Sequence, residues 1–229
     1  MTLKSACFIV LMAACLQLKG QDYFKQITFG GSAGATRAFS GVTKLKNALA
    51  FSGDLGYYPT PYINFTIEGQ GGKLAGAPAA ATLYKNKKTF TNNYLSFVFW
   101  SNISLGSFYD NPEDGAHKYI SPFYFGGGLG AANNRVTRLD EFTLQTVNVP
   151  DHMNLVVPVK IGYEFTAATR DEIPALKVDL AFSINFTGRA IDGYYDTSAL
   201  TIYYYTYASV GLKYAIRVGP PRHRLDLGE

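Results

Sequence analysis

Seven charged residues sit inside stretches that otherwise alternate between apolar and small polar side chains: Asp54, Glu68, Lys160, Glu164, Lys177, Asp179 and Lys213. All fall on the polar row of their stretch. Four carboxylates against three lysines suit mutual neutralisation in a confined space, where ion pairs need good geometry to offset desolvation. Four of them can be grouped by register. With a turn over residues 168–175 Glu164 is expected opposite Lys177, and with the last hairpin folded near Tyr194 Lys213 is expected beside Lys177, with Asp179 one layer away. Glu164, Lys177, Asp179 and Lys213 are therefore the expected internal charge cluster. The histidines His117, His152 and His223 share no ligand spacing, so no metal site and no cofactor is expected. Asp151-His152 is the one acid–histidine step and no serine is marked to join it, so the chain is not expected to be an enzyme. Lys85, Lys87 and Lys88 form a basic run suited to a loop contact with phosphate groups or another partner.

The elements that must position these residues are strands. NLVVPVKIGYEFT (154–166) places Leu155, Val157, Val159, Ile161, Tyr163 and Phe165 on one side and Asn154, Lys160, Gly162, Glu164 and Thr166 on the other. LKVDLAFSINFT (176–187) repeats the pattern. Eight such segments are predicted, over 27–37, 48–58, 62–74, 94–109, 118–131, 153–167, 176–188 and 202–216. No helical period competes, so the chain is predicted to be all-β and a single domain.

Periodicity alone does not say which row faces inward, but composition does. The polar rows are built of Gly, Ser, Thr and Asn, as in Thr28, Gly30, Ser32, Gly34 and Thr36, which suits a narrow lumen better than open water. The apolar rows hold no charge, as lipid requires, since a lysine or arginine there costs about 2–4 kcal/mol at the midplane. Charged residues make up 17% of the chain, below the roughly 25% of soluble domains. The formal net charge of +4 is dispersed, which argues against nucleic-acid binding. Tyr57, Tyr58, Tyr62, Tyr163, Phe165 and Tyr214 are placed for one interfacial girdle, and Tyr203, Tyr204, Tyr205 and Tyr207 for the other. A soluble lipid-binding calyx of lipocalin type, exported to the periplasm, would invert the two faces.

The ends and connections complete the reading. Residues 1–20, with Lys4, the apolar run ACFIVLMAACLQL and Gly20, read as a secretory signal peptide. The alternative is a lipoprotein signal with an acylated Cys15. Both cysteines, Cys7 and Cys15, lie within this segment. Turns over 59–61, 111–117 and 168–175 are short to moderate, whereas 75–93 and 132–152 are long and polar, with 38–47 and 189–201 of middling length. Short turns at one end and longer loops at the other are the asymmetry of outer-membrane barrels, with both termini periplasmic. Residues 217–229 form a short tail.

ITFGGSAGA (27–35), FYFGGGLGAA (123–132) and the closing YASVGLKY (207–214) resemble the small outer-membrane β-barrel family of Gram-negative bacteria, the OmpA-transmembrane or opacity-protein type, across residues 21–216. The resemblance implies an eight-stranded antiparallel up-and-down transmembrane β-barrel, spanning the outer membrane among lipid and lipopolysaccharide. It also implies insertion by the barrel-assembly machinery, extracellular loops that meet a protein partner, and a structural or interaction role. An accessory barrel of a secretion or transport machine is the alternative. The tail beyond Ile216 departs from the aromatic ending of many members.

Overall fold

The computed structural model describes residues 25–39, 44–77, 89–108, 117–139, 145–170, 173–194 and 203–218. The segment 1–20, the lysines 85, 87 and 88, His223 and the tail beyond 218 lie outside the described residues.

Eight long strands carry the alternation: β1 (Gln26–Phe39), β2 (Lys44–Tyr58), β3 (Ile63–Ala77), β4 (Phe90–Ser104), β5 (Phe123–Leu139), β7 (His152–Arg170), β8 (Ile173–Thr187) and β9 (Tyr203–Arg217), with the three-residue β6 (Thr146–Asn148) laid against the end of β5. Every long strand pairs antiparallel with its chain neighbours, and β1 pairs with β9. The sheet closes on itself, so no long strand has a free edge.

The stagger follows from the register. The pairs Ile27–Tyr57–Phe65–Ser101–Gly127–Val159–Ile184–Thr206 lead once round the barrel and rejoin β1 at Arg37, ten residues further along. At about 3.3 Å per residue and about 4.8 Å between strands, this stagger tilts the strands by about 40°.

The apolar rows point outward. Leu155 is 61% exposed while its neighbour Val156 is fully buried, and Phe51, Leu55, Ile67, Phe97, Phe125, Leu129, Phe182 and Leu212 are exposed likewise. A soluble calyx would show the reverse. The outward girdles are smaller than expected because alternate tyrosines turn inward. At the short-turn end Phe29 meets Tyr214, and Phe123 meets Tyr163; at the other end Phe39, Tyr204 and Phe186 form a chain. Tyr58, Tyr205 and Tyr207, expected in the girdles, are buried in the lumen, since each lies one position off the outward row.

Several connections differ from expectation. The fourth strand stops at Ser104, and the fifth begins only at Phe123, after a 3₁₀ turn (Leu105–Phe108) and one helical turn (His117–Ile120). Ser104 Oγ donates to Ser121 O and accepts from Gly106 N at 3.1 Å, while Ser107 Oγ donates to Ser104 O. These hydroxyl bonds compete with the ladder and end the strand. The expected long loop 132–152 is largely a hairpin extension, because Asn133, Arg135 and Thr137 continue the outward alternation of β5 around the buried Val136.

The loop after β8, expected to lie outside the barrel, turns into its mouth. Ala190, Ile191 and Asp192 are buried, and Ile191 packs with Ala38, Leu74, Phe90, Val136 and Tyr205. Asn92 Nδ2 donates to Ile191 O at 2.9 Å, Arg138 Nη1 to Gly193 O at 2.7 Å, and Tyr194 OH to Leu139 O at 2.7 Å. Gly193, at φ +72°, supplies the left-handed step that brings the chain back to the rim. This plug fills the wide-loop end of the lumen.

Candidate functional site

The other end of the lumen is closed by charge. Glu164 on β7 is the node. Its Oε1 accepts from Lys177 Nζ at 3.0 Å and its Oε2 from Lys213 Nζ at 2.8 Å, and Tyr58 OH lies 2.8 and 2.7 Å from the two oxygens. Lys213 also pairs with Asp179 at 2.8 Å, whose other oxygen accepts from Tyr124 OH at 2.8 Å. The structure therefore brings Glu164, Lys177, Asp179 and Lys213 together. One step of the register differs from expectation: Glu164 lies opposite Asp179, and Lys177 opposite Thr166. The pairing is symmetric from Arg170–Ile173 out to Val156–Thr187, and that symmetry sets Glu164 against Asp179; the irregularity at Ala168 leaves the register beyond it unchanged. Lys177 reaches Glu164 diagonally instead of directly across.

Three aromatic members, Tyr58, Trp100 and Tyr124, were not expected in the network. Lys160 Nζ bonds Glu68 Oε2 at 2.8 Å from strands on opposite sides of the barrel, and sits 3.9 Å above the Trp100 ring. Lys177 lies 3.8 Å above the Tyr58 ring. These ring contacts and phenol bonds supply partners that the lysines and carboxylates lack in water's absence. The signal was present in the inward parity of Tyr58, Trp100 and Tyr124, but pairing across the lumen depends on the barrel's diameter, which no single hairpin reveals.

Inward glycines make room for the network. A Cβ on Gly30 would sit 2.7 Å from Lys213 Cγ and 2.8 Å from Asp54 Oδ2, and one on Gly162 would overlap the Tyr124 phenol. Gly162→Ala is accordingly expected to lower stability by about 1–3 kcal/mol through overpacking. Urea titration of the folded barrel would show it, and the loss should shrink in a Tyr124→Ala background.

Between the network and the plug the lumen is filled. Ser32 Oγ meets Ser52 Oγ at 2.7 Å and Tyr207 OH at 2.9 Å, and Asn92 bonds Asn134 at 2.8 Å. The central cavity, lined by Ser32, Asp54, Glu68, Lys160 and Asp179, measures about 20 Å³, room for about one water molecule. At the short-turn end a second cavity of about 70 Å³ lies among Tyr58, Asn64, Asn102, Tyr124 and Glu164. Among the described residues no group of three or more His, Cys, Asp or Glu is placed to hold a metal ion. Asp151 is taken by Arg135, at 3.0 Å, and His152 Nδ1 faces Pro150 O, so the two are not arranged as an acid–histidine relay.

The outward surface decides how the barrel is used. On β1 to β5 the outward row spans nine residues each, apolar or glycine except at Ser101, over 27–35, 49–57, 63–71, 95–103 and 123–131, and gives way to Arg37, Asn47, Lys73, Asn93 and Asn133. Nine residues at about 3.3 Å each and a tilt of about 40° rise about 23 Å, close to the apolar band of about 25 Å on membrane barrels. This is a transmembrane β-barrel of the outer-membrane type. No family model matches the chain, and no curated protein does. Among solved structures it is similar to Neisserial surface protein A (14% identity over 82% of this chain and 96% of that one, TM-score 0.45). It is similar also to Ail, the attachment invasion locus protein of Yersinia pestis (12%, 84% and 99%, 0.47), and to the outer membrane protein OprG of Pseudomonas aeruginosa (12%, 85% and 96%, 0.37).

Proposed function

We propose that this protein is a non-conducting barrel of the outer membrane with a structural or contact role and no catalytic activity, its plugged rim facing outward and its termini facing the periplasm. The observation that carries the reading is the uniform nine-residue outward apolar row, ending at polar residues on five successive strands, around a lumen closed at both ends. A wall of this height and greasiness needs lipid on its outside, while a lumen filled by side chains and closed by charge does not serve as a pore. The surface left for partners is the rim at the wide-loop end, together with the loop holding Lys85, Lys87 and Lys88.

Orientation is tested with a membrane-impermeant maleimide on intact cells. Asn148→Cys at the plugged rim is expected to label and Tyr119→Cys at the short-turn end to stay dark until the cells are permeabilised. The reverse pattern would place the termini outside. The same preparations, run unheated and boiled on SDS gels, are expected to show the mobility shift of a folded barrel in the outer-membrane fraction.

A further inference from the structure

The outward row does not end evenly. On β3, β4 and β5 the register places Lys73 beside Asn93, and Asn93 beside Arg135, as successive cross-strand neighbours on the outer face. Directly below them stand Gly71, Leu95 and Asn133, then Phe97 and Leu155 in the apolar band. Arg37 joins them through an irregularity of β2. Between Lys46 and Ala50 that strand leaves the regular ladder, and Thr36 Oγ1 crosses it to donate to Lys73 O at 2.6 Å. Arg37, next in the chain and exposed, stands on the same outer face as Lys73 with only β2 between them, its guanidinium 5.8 Å from the Phe39 ring.

The charge of this patch is one-sided. Among the described residues Lys73 and Arg37 have no carboxylate partner. Arg135 has one, Asp151, which engages Nε and Nη2 and leaves Nη1 for a second acceptor. Three cations against one carboxylate, with an asparagine amide between them, is an anion-binding surface. Its position selects the anion. The floor of the patch is the top of the lipid-facing band, so a bound group has hydrocarbon directly beneath it, the height at which lipid headgroups lie. We infer that Arg37, Lys73, Asn93 and Arg135 form a site for the phosphate headgroup of a membrane glycolipid, whose acyl chains lie against Leu49, Leu95 and Phe97. The leaflet that supplies the lipid rests on the orientation proposed above; the binding does not.

The test is native mass spectrometry of the folded full chain in detergent, titrated with diphosphoryl lipid A, with the same lipid after phosphatase treatment, and with inorganic phosphate. Diphosphoryl lipid A is expected to be retained, with affinity falling about fivefold for Arg37→Ala or Lys73→Ala alone and about a hundredfold for the triple variant with Arg135→Ala. The dephosphorylated lipid is expected to bind the wild type as weakly as the triple variant binds the phosphorylated one, and inorganic phosphate to displace nothing. Undiminished binding by either single variant or by a triple variant that keeps its heat-dependent gel shift would overturn the site. So would equal binding of the dephosphorylated lipid, displacement by free phosphate, or an equal loss from Lys25→Ala, Lys118→Ala and Arg217→Ala at the opposite end. Binding that follows the expected order while the maleimide pattern is reversed upholds the site and overturns only the orientation.

Discussion

Replacing Glu164 by alanine is expected to cost the barrel about 3–5 kcal/mol, the range for removing one partner of a buried ion pair. Two lysines depend on this carboxylate, through bonds of 3.0 and 2.8 Å. Without it, among the described residues, Lys177 keeps the face of the Tyr58 ring and Lys213 keeps Asp179. A cation–π contact contributes about 0.5–2 kcal/mol and cannot offset a desolvation penalty of several kcal/mol for an ammonium group. The measurement is the midpoint of urea unfolding in detergent or liposomes, read by the loss of the fast-migrating gel form. The second arm isolates the cause: Glu164→Gln with Lys177→Met removes one charge of each sign and leaves the Lys213–Asp179 pair intact. This double variant is expected to recover most of the loss, since an apolar replacement of a buried pair is often neutral or stabilising. If the double variant is as weak as Glu164→Ala, the role of Glu164 is packing and hydrogen bonding to Tyr58, and charge is secondary.

What was legible in the sequence follows from which interactions are local. Alternation of Leu155, Val157, Val159 and Ile161 against Asn154 and Lys160 depends only on strand geometry, so it reports strand and face directly. The nearness of Lys213 to Lys177 also followed from folding the last hairpin near Tyr194, because the β8–β9 register is regular from Leu176 to Thr187. The Glu164 register was two residues off because the expected pairing centred the β7–β8 hairpin one residue too early, and moving the centre by one moves every partner by two. The Glu68–Lys160 bond was illegible for a different reason: β3 and β7 never pair, and only the closure of eight strands at a stagger of ten residues brings their side chains across the lumen. The plug belongs to the same class. Ala190 and Ile191 are two apolar residues in a loop otherwise rich in Asp, Gly and Tyr, and a loop signal carries no information about which way the loop turns.

The plug and the ion network are two closures in series, which sets the second large effect. Ile191→Asp places a carboxylate among Ala38, Leu74, Phe90 and Val136, whose side chains offer it neither a charge nor a hydrogen-bond donor. Keeping it there costs several kcal/mol, whereas withdrawing the loop forfeits the burial of one isoleucine, about 1.5–3 kcal/mol. The cheaper course is for residues 189–194 to leave the mouth, and increased protease cleavage in that loop would report it. Current through planar bilayers is expected to stay at the wild-type baseline, because Glu164, Lys213 and Asp179 still close the other end. Emptying that end alone, with Glu164, Lys177, Asp179 and Lys213 all changed to alanine so that two charges of each sign are removed, is expected to leave the plug as the barrier and again to pass no current. Only the combined variant is expected to show discrete conductance steps. Current from either variant alone would show that the region it alters is the sole barrier and that the other closure is permeable to ions.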